Sequence, residues 1–360
     1  MIKRVNLFRI EQPIGEFYVG KIDTKTLLNV YYVKNRTELS NIGYQRFLNI
    51  TRVNDIKKYT EDPDAIFPTS IIITINSELV KFSHSDLVDD VFTLGFDDKN
   101  HNLFEIIDGQ HRLCGISQNP DSIKELPIII LFDLTEEEKA YIFSTINSNQ
   151  RKVPSSLIYD LFELYETRSP SKTCHELAKT FNCDRNSPFY NRLKMLGRKI
   201  QGSETISQGS FVQYIEELFT NDAKQDAIDI KNNKRLKELD STKYVLREWF
   251  INNEDDKIYK VLFNYFTAVS RVFSKEWSDN NGYILLKTTG FGALCKSFPY
   301  AFNIGAKKGY LSLDFFEKLF NNSQKNIVDL KKILTADFYG SGEASQNKLK
   351  NDIIEQWCLQ

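Results

Sequence analysis

Apolar positions recur along the chain with two different periods, and the change from one to the other falls near residue 155. Ahead of it, short runs rich in β-branched and aromatic residues, "GEFYVGKI", "TSIIITIN", "LFEIID" and "LPIIILFDL", alternate with helix-like stretches such as "IDTKTLLNVYYV" and a segment starting at about His111. Strands this short and apolar, each followed by a helix or loop, predict an α/β (α+β) fold with a small mixed sheet and flanking helices. Thr135 followed by Glu138 in "LTEEEKAYIFSTIN" has the spacing of a capping box, with acidic residues in the first turn where the helix dipole favours them. After Pro154 the period becomes helical in "SSLIYDLFELYET", "KTCHELAKTF", "SFVQYIEELF", "DKIYKVLFNYFTAVSRVF" and "LDFFEKLF", and strands almost vanish. The expected organisation is a first domain over 1–155 and a mostly α-helical domain over 156–360. Within the second, the polar stretch 220–242 reads as an exposed helix or as a mobile connection.

Length supports the division, because 360 residues exceed what one core usually holds. Forty-seven basic against forty-eight acidic residues give a net charge of -1, so there is no global pull toward nucleic acid or anionic membrane, and any such contact must be local. Five cysteines, scattered and without a C-x-x-C pair, signal neither a disulfide framework nor a zinc site and suit a reducing compartment. The first residues lack the apolar core of a signal peptide, and nowhere is there an apolar run of about 18 residues. The expected location is the cytoplasm.

The most informative stretch is "NLFEIIDGQHRLCGIS". A strand ending at Asp108-Gly109 and feeding a helix at Gln110 exposes backbone N–H groups at a helix start, where they attract anions. Gly109 permits the sharp turn, Arg112 adds a fork of donors suited to phosphate, and Gln110 and His111 add further polar groups. The same residues also read as a common Asp-Gly turn with a His-Arg pair facing water. Two other clusters bear on the choice: Asn147, Gln150 and Arg151 in "STINSNQRKVPSS", and Gln45-Arg46 in "GYQRFLNITRVNDIKKY". Each alone reads as a solvated helix exit or surface turn. Together the three loops, each with a Gln and an Arg, look like one anion site.

These blocks, "IEQPIGEFYVGKI", "YQRFLNITRVNDIKKYTEDPDAIFPTSIIITI", "FEIIDGQHRLCGI" and "FSTINSNQRKVPSSLIYDLF", resemble in order the DGQHR-domain proteins, whose best-known members are DndB-like and which are placed in the ParB/sulfiredoxin-like superfamily. The resemblance covers most of the N-terminal half and fades after about residue 165. ParB proteins carry a Gly-Glu-Arg-Arg phosphate-binding turn, and Gly109, Gln110, His111 and Arg112 stand in those places. Their Glu-Asn-x-Gln-Arg block aligns with Asn147, Ser148, Asn149, Gln150 and Arg151. Gln110 and Asn147 replace two glutamates, which removes two anionic ligands for Mg²⁺.

The resemblance implies a nucleoside-triphosphate-binding, ATP-hydrolysing and DNA-associated protein of a DNA phosphorothioation or defence system. Its cofactor would be ATP or another NTP, with Mg²⁺ as the accompanying ion and no protein-held metal. Its partners would be DNA, further copies of the chain or other modification-system proteins. Gln45, Arg46, Gly109, Gln110, Arg112, Asn147, Gln150 and Arg151 are the nucleotide-site candidates. Asp108 and His111 are the catalytic candidates, with Asp133 a further carboxylate. The basic, aromatic stretch "DRNSPFYNRLKMLGRKI" offers Arg192, Lys194, Arg198 and Lys199 for a DNA backbone, or reads as a solvated amphipathic helix. The rival functions are a non-catalytic DNA-binding transcriptional regulator and a ParB-like nuclease.

Three further features lead elsewhere. "LLKTTGFGALCKSF" has the composition of a phosphate loop without its spacing, so Thr288 or Thr289 is expected to be a helix N-cap. Cys174-His175 with Cys183 matches no usual zinc pattern. Cys114, two residues past Arg112, is a candidate nucleophile by resemblance and a buried helix residue by its apolar neighbours.

Overall fold

Eight strands of the first half join in one mixed sheet in the computed structural model of the chain, which describes residues 1–13, 15–34, 48–85, 88, 90–148, 156, 167–195, 203–279, 282–329 and 332–357. Contacts divide the chain into two units, Met1–Arg151 and Lys152–Gln360. In the first the order is β1 (Ile2–Gln12), β2 (Gly15–Asp23), α1 (Thr24–Val30), β3 (Tyr31–Tyr32), α2 (Ile50–Tyr59), β4 (Ile71–Ile75), β5 (Lys81–His84), β6 (Val91–Asp97), β7 (Phe104–Asp108), α3 (Gln110–Ile116), β8 (Glu125–Phe132) and α4 (Glu136–Ser148).

The sheet runs β3-β7-β4-β8-β2-β1-β6-β5. Strand β4 is antiparallel to β7 and parallel to β8, which makes the sheet mixed. The isoleucine runs belong to these three strands, and Ile71, Ile73, Ile75, Ile106, Ile107, Ile128 and Ile130 are all buried. Side chains alternate across a strand, so near-continuous apolar runs such as "IIITI" and "FEIID" mean that both faces are covered. On β1 only Val5 and Leu7 are buried, and the rest of the strand meets water at least in part. That dilution of the apolar pattern is why β1 escapes a reading of the sequence.

Two local chemistries fix the helices beside the sheet. Asp23 caps α1 by accepting from the Thr26 N–H at 2.8 Å. The helix expected over "IDTKTLLNVYYV" stops at Val30, because Tyr31 and Tyr32 pair in parallel with Phe104 and Glu105 as an edge strand. At α4 the capping box forms: the Thr135 N–H donates to the Glu138 carboxylate at 2.8 Å and the Glu138 N–H to the Thr135 hydroxyl at 3.3 Å.

Among the described residues the strands of the second unit are a two-residue parallel pair, β9 (Leu193–Lys194) with β10 (Ile206–Ser207), and its other elements are helices. Its helices are α5 (Pro170–Cys183), α6 (Gln208–Glu216), α7 (Ala223–Lys231), α8 (Arg247–Ile251), α9 (Asp255–Val272), α10 (Ser274–Ser278), α11 (Thr288–Lys308), α12 (Leu313–Asp329), α13 (Ala336–Tyr339) and α14 (Glu343–Ile354). An aromatic cluster fills the core: Phe189 packs edge-on against Phe266 at 5.0 Å and Trp277 at 5.4 Å, and Phe291 stacks on Phe211 at 5.4 Å. No helix among the described residues is long and apolar enough to cross a membrane.

Two expectations change in this unit. The polar stretch 220–242 holds a helix, α7, that is anchored rather than wholly exposed: buried Asp226 accepts from buried Arg247 at 2.5 and 3.1 Å, and the same guanidinium binds the Phe219 and Lys237 carbonyls. The N-cap of α11 is Lys287, so Thr288 and Thr289 lie in the first turn. Gly290 explains the composition there, since a Cβ would stand 2.1 Å from the Ile284 carbonyl oxygen.

Candidate functional site

Strand β7 ends at Asp108, and Gly109 turns the chain into α3 with φ of 109° and ψ of 6°, in the left-handed region that favours glycine. A Cβ at Gly109 would also stand 2.5 Å from the Ile71 side chain of β4. The glycine is therefore required by both backbone geometry and packing. Gly109 offers no side-chain cap to α3, and Gln110 at its first position is buried.

Arg112 turns back over this junction. One terminal nitrogen donates to the Thr69 carbonyl and to the Thr69 hydroxyl, the latter at 2.7 Å; the other donates to the Ser70 carbonyl at 3.0 Å and to Asp108 Oδ2 at 2.9 Å. All four terminal N–H groups thus have acceptors inside the protein, which leaves only the Nε–H for anything else. Burial lowers the Arg112 pKa from its ordinary value, with the Asp108 carboxylate working against that. The arginine read as a phosphate ligand is, in this geometry, a clamp between the strand-to-helix turn and the segment entering β4.

His111 points toward another helix start. Its Nε2 accepts from the Asn49 backbone N–H at 3.0 Å, while the Asn49 side chain caps α2 by accepting from the Arg52 N–H at 3.1 Å. A nitrogen that accepts carries no proton, so the ring is neutral with its hydrogen on Nδ1. Burial first, and then the Arg52 charge, hold the His111 pKa below the ordinary histidine value, with Asp108 opposing. Below neutral pH the unfolded chain therefore takes up this proton before the folded one. Stability present above about pH 6.5 is lost as pH falls through the lower folded value. We expect the thermal midpoint to fall between pH 7 and pH 5 by more in the wild type than in His111→Gln. Equal slopes for the two proteins would remove this role.

The N-termini of α2 and α3 thus meet at the His111–Asn49 bond, and the two helices pack closely. A Cβ at Gly115 would lie 2.5 Å from the Ile56 side chain and 3.1 Å from the Val53 carbonyl oxygen. The first turns of both helices carry N–H groups without intrahelical acceptors, and the exposed Arg52 adds positive charge. Chemically, this is a place that favours an anion.

Of the site residues expected from the sequence, Asp108, Gly109, Gln110, His111 and Arg112 come together. Gln45, Arg46, Gln150 and Arg151 lie outside the described residues, as does the side chain of Asn147, and so do Arg198 and Lys199. Asp133 follows β8 with φ of 54° and accepts from the Ser77 N–H at 2.9 Å, a bond across 56 residues that ties the end of β8 to the turn after β4. Arg192, half-buried, donates to the Trp277 carbonyl at 3.0 Å, which ties it into the helical core; Lys194 is partly exposed on β9. Cys114 is partly buried. Among the described residues no three or more His, Cys, Asp and Glu cluster as a metal site.

Reading the sequence missed Asn49, Arg52, Thr69 and Ser70. Asn49 had a signal, a capping residue just before the helical "ITRVNDI". It also missed a charged network beside β7. Lys139 of α4 reaches Glu105 at 2.9 Å and Glu136 at 3.0 Å, and the Tyr32 hydroxyl donates to Glu105 at 3.2 Å. Burial works against the Lys139 ammonium, but its bonds to the two carboxylates outweigh it and raise the pKa above the ordinary lysine value.

A family model described as "DndB: DNA-sulfur modification-associated" matches residues 5–296. Among solved structures, the C-terminally truncated chromosome-partitioning protein ParB from Caulobacter crescentus complexed with CTP-gamma-S is similar over 65% of this chain and 98% of that one, at 9% identity and a TM-score of 0.28. At that level the likeness leaves fold and ligand to be argued from this chain's own residues. No curated protein matches.

Proposed function

This chain belongs to the DndB family, DNA-sulfur modification-associated proteins, and from that premise we propose that its N-terminal unit binds a nucleoside triphosphate and that the protein contacts DNA within a modification system. The observation that carries the nucleotide part is the meeting of two helix starts, α2 and α3, at the His111–Asn49 bond beside Arg52. First-turn N–H groups from two helices and an unburied guanidinium are complementary to phosphate oxygens. Gln45, Arg46, Gln150 and Arg151 are proposed to complete the site, and Mg²⁺ would arrive on the nucleotide's own oxygens.

Binding has more support than hydrolysis. Asp108 holds Arg112 through Oδ2 and His111 holds Asn49 through Nε2, so each proposed catalytic group already has a structural bond at one of its two candidate atoms. That observation favours a second reading, a nucleotide-responsive DNA regulator that does not turn over.

The test is a thermal-shift panel of ATP, CTP and GTP with Mg²⁺, followed by phosphate release with and without DNA. A ligand held only by the native state raises the apparent midpoint by mass action. We expect one nucleotide to do so, and Arg52→Ala to weaken it about tenfold, the loss of one charge-assisted contact to phosphate. No shift with any of the three would end the nucleotide reading. Phosphate release no higher than in His111→Gln would leave the regulator.

A further inference from the structure

The helical unit holds a cavity of about 860 Å³ that nothing above uses. Such a volume lies in the range of small-ligand sites. Its walls come from four places in one unit: the end of α6 and the turn after it, residues 242–244, one face of α11, and one face of α14. On α11 the lining residues Cys295, Lys296, Pro299, Tyr300 and Asn303 follow helical spacing, and on α14 Glu343, Asn347 and Lys350 do the same. Two helices thus present matched faces to one space.

The chemistry of those faces is specific. Lys243 lies over the Tyr244 ring at 5.0 Å and Lys350 over the Tyr300 ring at 5.5 Å, so two ammonium groups each stand beside an aromatic platform. Lys296 adds a third and is paired with Glu343 at 3.1 Å. Pro299 sits inside α11, and a proline has no N–H to give the carbonyl four residues back. The Cys295 carbonyl therefore lacks its ordinary helical donor where both residues line the cavity. Asn347 supplies an amide group at the same walls, where the Asn303 amide already donates to the Thr242 carbonyl at 2.7 Å.

Rings for stacking, ammonium groups for a phosphate, and amide and carbonyl groups for the edge of a heterocycle are one recognisable set. We propose that this cavity binds a nucleoside 5′-phosphate, with the base against Tyr300 or Tyr244 and the phosphate toward Lys350 and Lys243. It is a site separate from the one at α2 and α3. The nucleotide comes either free or as one unit of a DNA strand, and the chemistry is shared by both.

The experiment is calorimetric titration of the full chain with dAMP and dCMP in one arm and a single-stranded oligodeoxynucleotide of about 10 residues in the other. The variants are Tyr300→Ala and Lys350→Gln, with Lys21→Gln, an exposed lysine of the other unit, as the control. Tyr300 is 44% exposed, so its truncation leaves the core intact, and circular dichroism of each variant checks that. We expect Tyr300→Ala and Lys350→Gln each to weaken binding about fivefold or more, with Lys21→Gln matching the wild type. Binding in the first arm marks a free-nucleotide site; binding confined to the second marks a strand site. The proposal is overturned if no probe binds, or if binding is the same in Tyr300→Ala and Lys350→Gln as in the wild type. Because Tyr300 and Lys350 lie in the helical unit and Arg52, the variant of the triphosphate site, in the other, failure of this site and failure of that one are read from different variants.

Discussion

Replacing Lys139 by alanine is expected to lower the stability of the N-terminal unit by about 3–5 kcal/mol, the usual result of stripping one partner from a buried ion pair. Glu105 is only 3% exposed and Lys139 8%, and the ammonium stands 2.9 Å from the carboxylate. Without it the buried carboxylate loses a charged partner, which loosens the packing of α4 on β7. A double variant, Glu105→Leu with Lys139→Met, removes both charges and should recover most of the loss. Hydrogen exchange of the β7 and β4 amides is the suitable readout, because a chain of two units need not unfold in one step. Protection unchanged in Lys139→Ala would sink the idea. The network adjoins the proposed site along the chain, since β7 runs into Asp108 and α4 runs as far as Ser148.

The pattern of apolar residues made the core strands β4, β7 and β8 legible, because strands covered on both faces write themselves as unbroken isoleucine runs. It left β1 invisible, since a strand that buries only Val5 and Leu7 has no such run, although it pairs on both sides. The strand-to-helix turn at Asp108-Gly109 was legible for a local reason, namely that only glycine serves both the left-handed φ and the approach to Ile71. The partners of that turn were not. Thr69 and Ser70 lie 43 and 42 residues from Arg112, and nothing in a short motif says which distant carbonyls a guanidinium will meet. The same holds for Arg247 and Asp226, 21 residues apart in a stretch whose mixed charges suggested water and whose key pair is buried. Charge type is visible in a sequence, but whether a charge is spent on the protein or offered to a ligand depends on long-range packing.

Arg112→Ala puts that distinction to the test, and we expect it to cost about 3 kcal/mol of stability before any ligand is added. Hydrogen bonds involving a charged group contribute about 1.5–3 kcal/mol each when neither partner is freely solvated. Arg112, with a side chain 16% exposed, makes one to Asp108 and others to Thr69 and Ser70. Lysine should not rescue the loss, because a single ammonium lacks the planar fork that reaches three residues at once. Asp108→Asn should cost less, since the amide oxygen still accepts from the guanidinium. If Arg112 instead served mainly to hold phosphate, Arg112→Ala would melt with the wild type and lose only its response to nucleotide. The two outcomes differ without any ligand in the tube. On the expected result, lost nucleotide binding in Arg112→Ala reports a loosened turn, and Arg52, exposed at the start of α2, is the residue whose removal reports on the anion itself.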